Sequence, residues 1–247
     1  MPFLLKKLRK ESANKNKYTL YLSYALGEIL LLVVGILIAF QIDKLTREEK
    51  LKQEELESYQ LIISDLKRDS IIFNSYQRTY NMYLDCYFEV NKMRKGEGSF
   101  ESIVPDFLVS NVQFNPVTQN NHQATIEKLR NNAIREQINN YFANLDKVKQ
   151  ATEEFNTFVV EESRPYFLKE HNVFKNDVIF DYDDRSFPPL IGASGIDTVK
   201  LRSIASHPYF IPIVSQLRMS IGFYLASLRQ SQERNHALIE ILKSSLE

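Results

Sequence analysis

Glycine is scarce in this chain: seven among 247 residues, against roughly 7% in an average protein. So few flexible positions argue against a turn-rich all-β fold and for long helices. Cysteine occurs once, as Cys86, which excludes an intramolecular disulfide framework and leaves only an intermolecular bridge open. A lone cysteine of this kind reads as a small apolar core residue. A basic stripe is also missing. Residues 41–247 hold 25 of the 31 Lys and Arg residues and 29 of the 31 Asp and Glu residues. Nothing there would draw a phosphate backbone, so nucleic acid is not an expected partner.

Chemical motifs are equally sparse. His122, His171, His207 and His236 are scattered, with no i, i+4 pair of the kind that holds zinc on a helix. No phosphate-binding glycine loop occurs. Gly192-Ala193-Ser194-Gly195 is one residue short of a nucleophile elbow and has no strand–turn–helix context, so it reads as a turn. Asp181-Tyr182-Asp183-Asp184, with Asp177 nearby, offers carboxylates that suit calcium. An EF-hand would need glycine and glutamate at the sixth and twelfth places, which hold Ser186 and Gly192; a solvated acidic turn is the better reading. Neither an enzyme, a cofactor nor a metal site is expected.

What the chain does have is an apolar segment near its start. Ile29–Phe40 is uninterrupted, but twelve residues at ~1.5 Å each reach only about 18 Å, short of a ~30 Å hydrocarbon core. A spanning helix must therefore take in the preceding turns and runs over 18–42, with Tyr21 and Tyr24 suited to the headgroup level. Removal as a signal peptide is disfavoured by the long tail in front and by bulky Leu37 ahead of the candidate cut after Ala39. Residues 1–17 carry six basic side chains against Glu11. The seventeen residues after Ile42 carry four basic against six acidic. The bias predicts a cytoplasmic tail over 1–17 and an extracytoplasmic C-terminal part, periplasmic in a Gram-negative cell. The location expected is the inner membrane.

Three apolar seams with alternating steps of three and four follow. One runs Leu45, Leu56, Tyr59, Ile63, Leu66, Ser70, Phe73, Gln77, Tyr80, Leu84, Tyr87. The second runs Ile134, Ile138, Tyr141, Leu145, Val148, Thr152, Phe155, Val159. The third runs Leu217, Ile221, Tyr224, Leu228, Ser231, Asn235, Leu238, Leu242. A period near 3.5 held this long belongs to helices packed nearly parallel. The expected fold is all-α: one N-terminal transmembrane helix, a charged helical stalk over 43–57, and an elongated antiparallel helical bundle, coiled-coil-like, over 58–247. About two hundred residues are ample for one buried core.

Punctuation places the ends. Lys95-Gly96-Glu97-Gly98-Ser99 stops the first helix, and Asn115-Pro116 and Asn120-Asn121 bracket a loop before a shorter helix holding Thr125 to Arg130. Pro165 ends the second long helix, and Ser206-His207-Pro208 opens the last one, with Pro212 in its first turn. The 169–206 connection is long and irregular, with one short strand expected at Val178-Ile179-Phe180; connections of that length are often functional. Tyrosine, threonine, serine and asparagine at seam positions imply weaker packing and a gain from a partner chain.

Tyr24-Ala25-Leu26-Gly27-Glu28-Ile29 and Val34-Gly35-Ile36-Leu37-Ile38-Ala39-Phe40-Gln41-Ile42 resemble the opening of a bacterial single-pass membrane family known only as a domain of unknown function. Thr125-Ile126-Glu127-Lys128-Leu129 and Ile134–Phe142 carry the resemblance more weakly. Members often have tryptophan just after the membrane helix; this chain has Leu45 there and no tryptophan at all. A small Ser/Gly segment common after the Thr-containing helix is shortened here to Arg130-Asn131-Asn132-Ala133. The resemblance implies the architecture and no activity.

The residues singled out lie in the membrane segment. Glu28 sits about 9 Å inside the hydrocarbon if the core begins near Leu22. An ionised carboxylate there is costly, so it needs a proton, a partner or a wet face. It reads either as a relay shared with a partner or as a polar contact fixing helix association. Gly27, Gly35 and Ala39 are spaced so that two helices can approach closely, though single glycines are ordinary in such helices. The expected function is a membrane-anchored periplasmic interaction or structural module, homo-oligomeric or with a membrane or periplasmic protein partner. The alternative is a ligand-sensing bundle reporting through a membrane partner.

Overall fold

The computed structural model describes residues 17–97, 105–175 and 195–246, with side chains from Tyr21 onward. The class is all-α. Helix α1 spans Lys17–Arg94 and is followed by a 3-10 turn (Pro105–Leu108), α2 (Val117–Ile126), α3 (Asn132–Phe158), α4 (Thr198–Ser203) and α5 (Phe210–Ser244). Among the described residues the extended pairing consists of one isolated bridge, Phe174 with Ile196. Val178–Phe180, the Asp177–Asp184 acidic run and Gly192–Ser194 lie outside the described residues.

The chain divides into two units, Met1–Leu56 and Glu57–Glu247. In the first, every side chain from Tyr21 to Glu54 is exposed, so the apolar surface of Leu26–Ile42 meets no other element of its own unit. Past Ile42 the helix is charged and carries exposed pairs one turn apart, Asp43 with Arg47 and Lys50 with Glu54. Such pairs each add only a few tenths of a kcal/mol, about 0.3–0.5.

In the second unit, side-chain pairs fix the directions of the helices. Tyr141 and Asn144 of α3 bond Asn235 and Ser231 of α5; residue numbers rise on one helix as they fall on the other, so the pair is antiparallel. The described stretch of α1 also opposes α5, with Leu66 and Ser70 at Asn235, Asn74 at Gln232 and Tyr80 at Tyr224. All eight positions of the third seam are buried, as are all of the second except half-buried Thr152. The first seam is wider than its 3.5-residue period implies. Ile62, Asp69, Tyr83, Cys86 and Val90 are buried beside Tyr59, Leu66, Phe73, Tyr80 and Tyr87, because this part of α1 faces α3, α5 and the segment 105–117 together. Cys86 is a buried core residue whose thiol is raised by burial, and secondarily by Asp106.

Three expected boundaries move. Helix α2 begins directly after Pro116, so Asn120 and Asn121 are helical and 127–131 is the turn. Asn131 caps α3 by accepting from the amides of Ala133 and Ile134, and that local signal displaces the expected helix over Thr125–Arg130. Pro165 does not end α3: the helix widens into π turns at Val159–Ser163 and Pro165–Glu170, closed by the Arg164 amide on the Val159 carbonyl and the His171 amide on that of Tyr166. Widening accommodates a residue that has no amide hydrogen and would clash with the carbonyl four positions back. The turn ends at Asn172, whose φ of 45° is a left-handed stop. Helix α5 starts at Phe210 rather than at Pro208, and Pro212 sits in its first turn, where the missing donor has no helical acceptor to lose.

The end of α1 is a Schellman cap. Gly96 donates to the Met93 carbonyl and Glu97 to that of Lys92, with Gly96 at φ 81°. Gly96→Ala is expected to lower stability by about 1 kcal/mol, read as a drop in the urea midpoint at unchanged slope.

Candidate functional site

Gly27, Glu28, Gly35 and Ala39 all lie on the exposed stretch of α1 in the first unit. A methyl group built on Gly27 or Gly35 would meet no atom within 4 Å, so among the described residues these positions leave a bare strip of helix.

The second unit contains an arrangement that sequence reasoning missed. The segment from Phe107, in the 3-10 turn, to Pro116 is partly inside the unit, with Leu108, Val112, Phe114 and Pro116 buried and Asn111, Gln113 and Asn115 exposed, and past Leu108 its backbone groups have no ladder of their own. Side chains of the surrounding helices satisfy them instead. Tyr83 and Tyr87 of α1 donate to the carbonyls of Asn111 (3.0 Å) and Phe107 (3.3 Å). The Tyr80 hydroxyl accepts from the Gln113 amide at 2.6 Å and donates to its carbonyl at 3.1 Å, which Tyr224 of α5 also reaches at 3.1 Å. Asn156 bonds both the amide and the carbonyl of Val112. Ser163 and Arg164, on the π turns, reach Leu108 and Val109. These tyrosines are therefore hydrogen-bonding posts with apolar bodies, and Ser163 and Arg164 reach the segment from the widened stretch of helix. Burial pushes the Tyr80 hydroxyl up to about 12 and raises those of Tyr83, Tyr87 and Tyr224 as well.

At the end of this segment lies Asp69, a fully buried carboxylate. Pro116 has no side chain able to cap α2. Asp69 does so from α1, accepting the amides of Val117 (2.6 Å) and Thr118 (3.2 Å) and the Tyr141 hydroxyl (3.3 Å). Tyr141 in turn accepts from Asn235, whose amide also donates to the Leu66 carbonyl and whose oxygen accepts from Ser70. One turn earlier on α1, Asp65 accepts from Asn121 at 2.8 Å and lies 3.0 Å from His122. Two carboxylates thus fasten α2 through its first turns, where a negative charge also suits the helix dipole. Both oxygens of Asp69 are committed to protein donors and shielded from solvent, so this arrangement supplies capping and register.

The two carboxyls are displaced in opposite directions. Burial raises Asp69, against the hydrogen bonds from Thr118, Val117 and Tyr141. Asp65 is also pushed up by burial, but hydrogen bonds from Asn121, Arg68 and His122 outweigh it and hold the group below the usual carboxylate value. Among the described residues no cluster of three or more His, Cys, Asp or Glu side chains can hold a metal ion. Two open clefts lie on the second unit. One of about 270 Å³ is lined by Tyr87, Phe88, Phe210 and Arg218; one of about 350 Å³ is lined by Gln119, Arg135, Asn139 and Asp146.

Asp69→Ala strands three buried donors and is expected to cost about 3 kcal/mol in urea unfolding; Asp69→Asn, which keeps one acceptor, should cost less. A lowered folded value makes the Asp65 contribution present above the ordinary carboxylate value of about 3.9 and lost as pH falls through the folded value. A raised one gives Asp69 the reverse dependence, most favourable at low pH and lost as pH rises through its folded value. Asp65→Asn should therefore flatten the acid limb of the stability curve, whereas Asp69→Asn should steepen it, both measured by urea unfolding between pH 3 and 7. Neither a protein-family model, a curated protein nor a solved structure matches this chain.

Proposed function

We propose that this chain is a single-pass membrane protein whose 58–247 region is an extracytoplasmic helical bundle serving as an interaction or structural module. One contrast between two helices carries the reading. Both α1 and α5 are long and apolar enough to cross a membrane. The most apolar window of α5 has mean hydropathy 1.2 and is 33% buried, and its apolar stripe is the core of the second unit. That of α1 reaches 2.4 with nothing buried. A helix with apolar side chains all round and no protein cover needs lipid or another helix around it. Lys and Arg enrichment ahead of Tyr18 favours a cytoplasmic N-terminus and a periplasmic C-terminal region at the inner membrane.

The bare strip of Gly27, Gly35 and Ala39, with Glu28 beside it, fits a second helix in the bilayer, in a homo-oligomer or with a membrane partner. Close backbone approach at the glycines would let Glu28 share a hydrogen bond across the contact. The likeness of residues 18–43 to the uncharacterised single-pass family supports the same architecture.

Two outcomes are expected. Alkaline phosphatase fused after Ser245 should be active and a cytoplasm-dependent fluorescent reporter at the same place dark; the reverse pattern, or recovery of the intact chain in the soluble fraction, would overturn the reading. Crosslinking in cells should trap a discrete oligomer or partner, and Gly35→Leu should reduce that species about tenfold, equivalent to about 1.4 kcal/mol of association. Glu28→Gln separates the two roles of the carboxylate, since a packing contact survives the change and a proton relay does not.

A further inference from the structure

The 171–175 stretch and the turn before α5 are joined by a ring cluster that no reading of the chain singled out. Tyr166, buried on the π turns, stacks edge-on against His171 with centroids 4.5 Å apart. His171 in turn lies edge-on to His207, 4.7 Å away. The Tyr166 hydroxyl and His207 Nδ1 share a hydrogen bond of 3.2 Å, and Tyr209 flanks His207 at 5.9 Å. Among the described residues His171 Nε2 is buried with no hydrogen-bond partner. The cluster sits at a junction. His171 closes the π turns through its amide, Val173 and Lys175 pair with Asp197 and Gly195, and the His207 carbonyl receives the first amide of α5 from Phe210.

The geometry points to an acid-sensitive clasp: His171 and His207, packed ring to ring as neutral imidazoles, hold the end of the π turns to the start of α5, and protonation releases that junction. An imidazolium is a donor at both nitrogens. A proton gained by His171 therefore creates a charged ring whose buried Nε2–H has no acceptor, whichever tautomer precedes it, and burying such a group unpaired is costly. A second proton, on His207, places like charges in adjacent rings. Imidazole is the side chain that ordinarily changes charge between pH 5 and 8.

The surroundings do little to offset this. Glu170 acts through space on Tyr166, which burial first and Glu170 second raise to about 12, and it is exposed and so well screened. Asp106 is engaged by the Gly195 amide, and Asp197 caps α4 through Val199 and Lys200. Lys200 Nζ, on the Phe174 carbonyl at 3.2 Å, adds positive charge to the same junction, and Lys175 lies beside it in the chain. His122 faces Asp65, outside this junction.

Hydrogen exchange on the full chain in detergent, corrected for intrinsic rates, tests this at pH 7.5 and 5.5. Amides in 165–175 and 203–213 are expected to exchange at least tenfold faster at the lower pH. That acceleration should vanish in His171→Gln and in His207→Gln and persist in His236→Gln, an exposed histidine on α5. Equal protection at both pH values, or an acceleration that survives in both clasp variants, would refute the proposal. Should the variants fail to fold, the wild-type chain decides: acceleration confined to 165–175 and 203–213 at pH 5.5 supports the proposal, and acceleration spread evenly over the second unit overturns it.

Discussion

A buried backbone with no regular partner is the constraint on which the second unit depends. Between the 3-10 turn and α2, residues 109–116 have no helix or sheet of their own, and Val112, Phe114 and Pro116 are buried while Asn111, Gln113 and Asn115 are exposed. Unpaired amides and carbonyls in that position would each cost on the order of 1–3 kcal/mol. Tyr80, Tyr83 and Tyr87 on one face of α1, Tyr224 on α5, Asn156, Ser163 and Arg164 on or beyond α3, and Asp69 at the end of the run all turn toward it. Each helix is held in register by where its polar side chain must meet a particular peptide group. The π turns that accommodate Pro165 lie beside the same segment, which Ser163 and Arg164 reach.

The two units solve opposite problems. In Glu57–Glu247 apolar side chains find cover within the chain, and the polar residues among them are bonded in a layer running from Asp69 through Tyr141 to Asn235 and Ser70. In Met1–Leu56 the described apolar side chains find no cover within the unit. Composition alone would not separate these cases, since α5 also meets the length and hydropathy of a membrane span. Burial distinguishes them.

Polar residues in the seams are legible by position and not by the bonds they make. Tyr141, Tyr224, Ser231 and Asn235 fall on the helical period and are buried there, yet as isolated letters they suggest a weakened interface. Their partners are 72 to 169 residues away in sequence for the bonds Tyr141–Asp69 and Asn235–Leu66, a distance at which no local pattern carries information. The capping of α2 shows the same limit. Asn115-Pro116 and Asn120-Asn121 look like the ends of a loop, whereas a carboxylate from another helix caps a helix start there. His171 and His207 are likewise unremarkable singly, and become a unit only when the turn before α5 folds against the π turns.

What the amino-acid order determined by itself was everything that depends on period and hydropathy: the all-α class, the three seams, the apolar helix near the start and the buried character of Cys86. These follow from 3.6-residue geometry and from the transfer of apolar surface, both of which are local or additive. Tertiary structure alone decided which polar side chains meet which peptide groups, why Pro165 widens a helix instead of ending it, and which of two apolar helices is left uncovered. Hydrogen bonds are directional and short, so their pairing exists only once distant parts of the chain have been brought together.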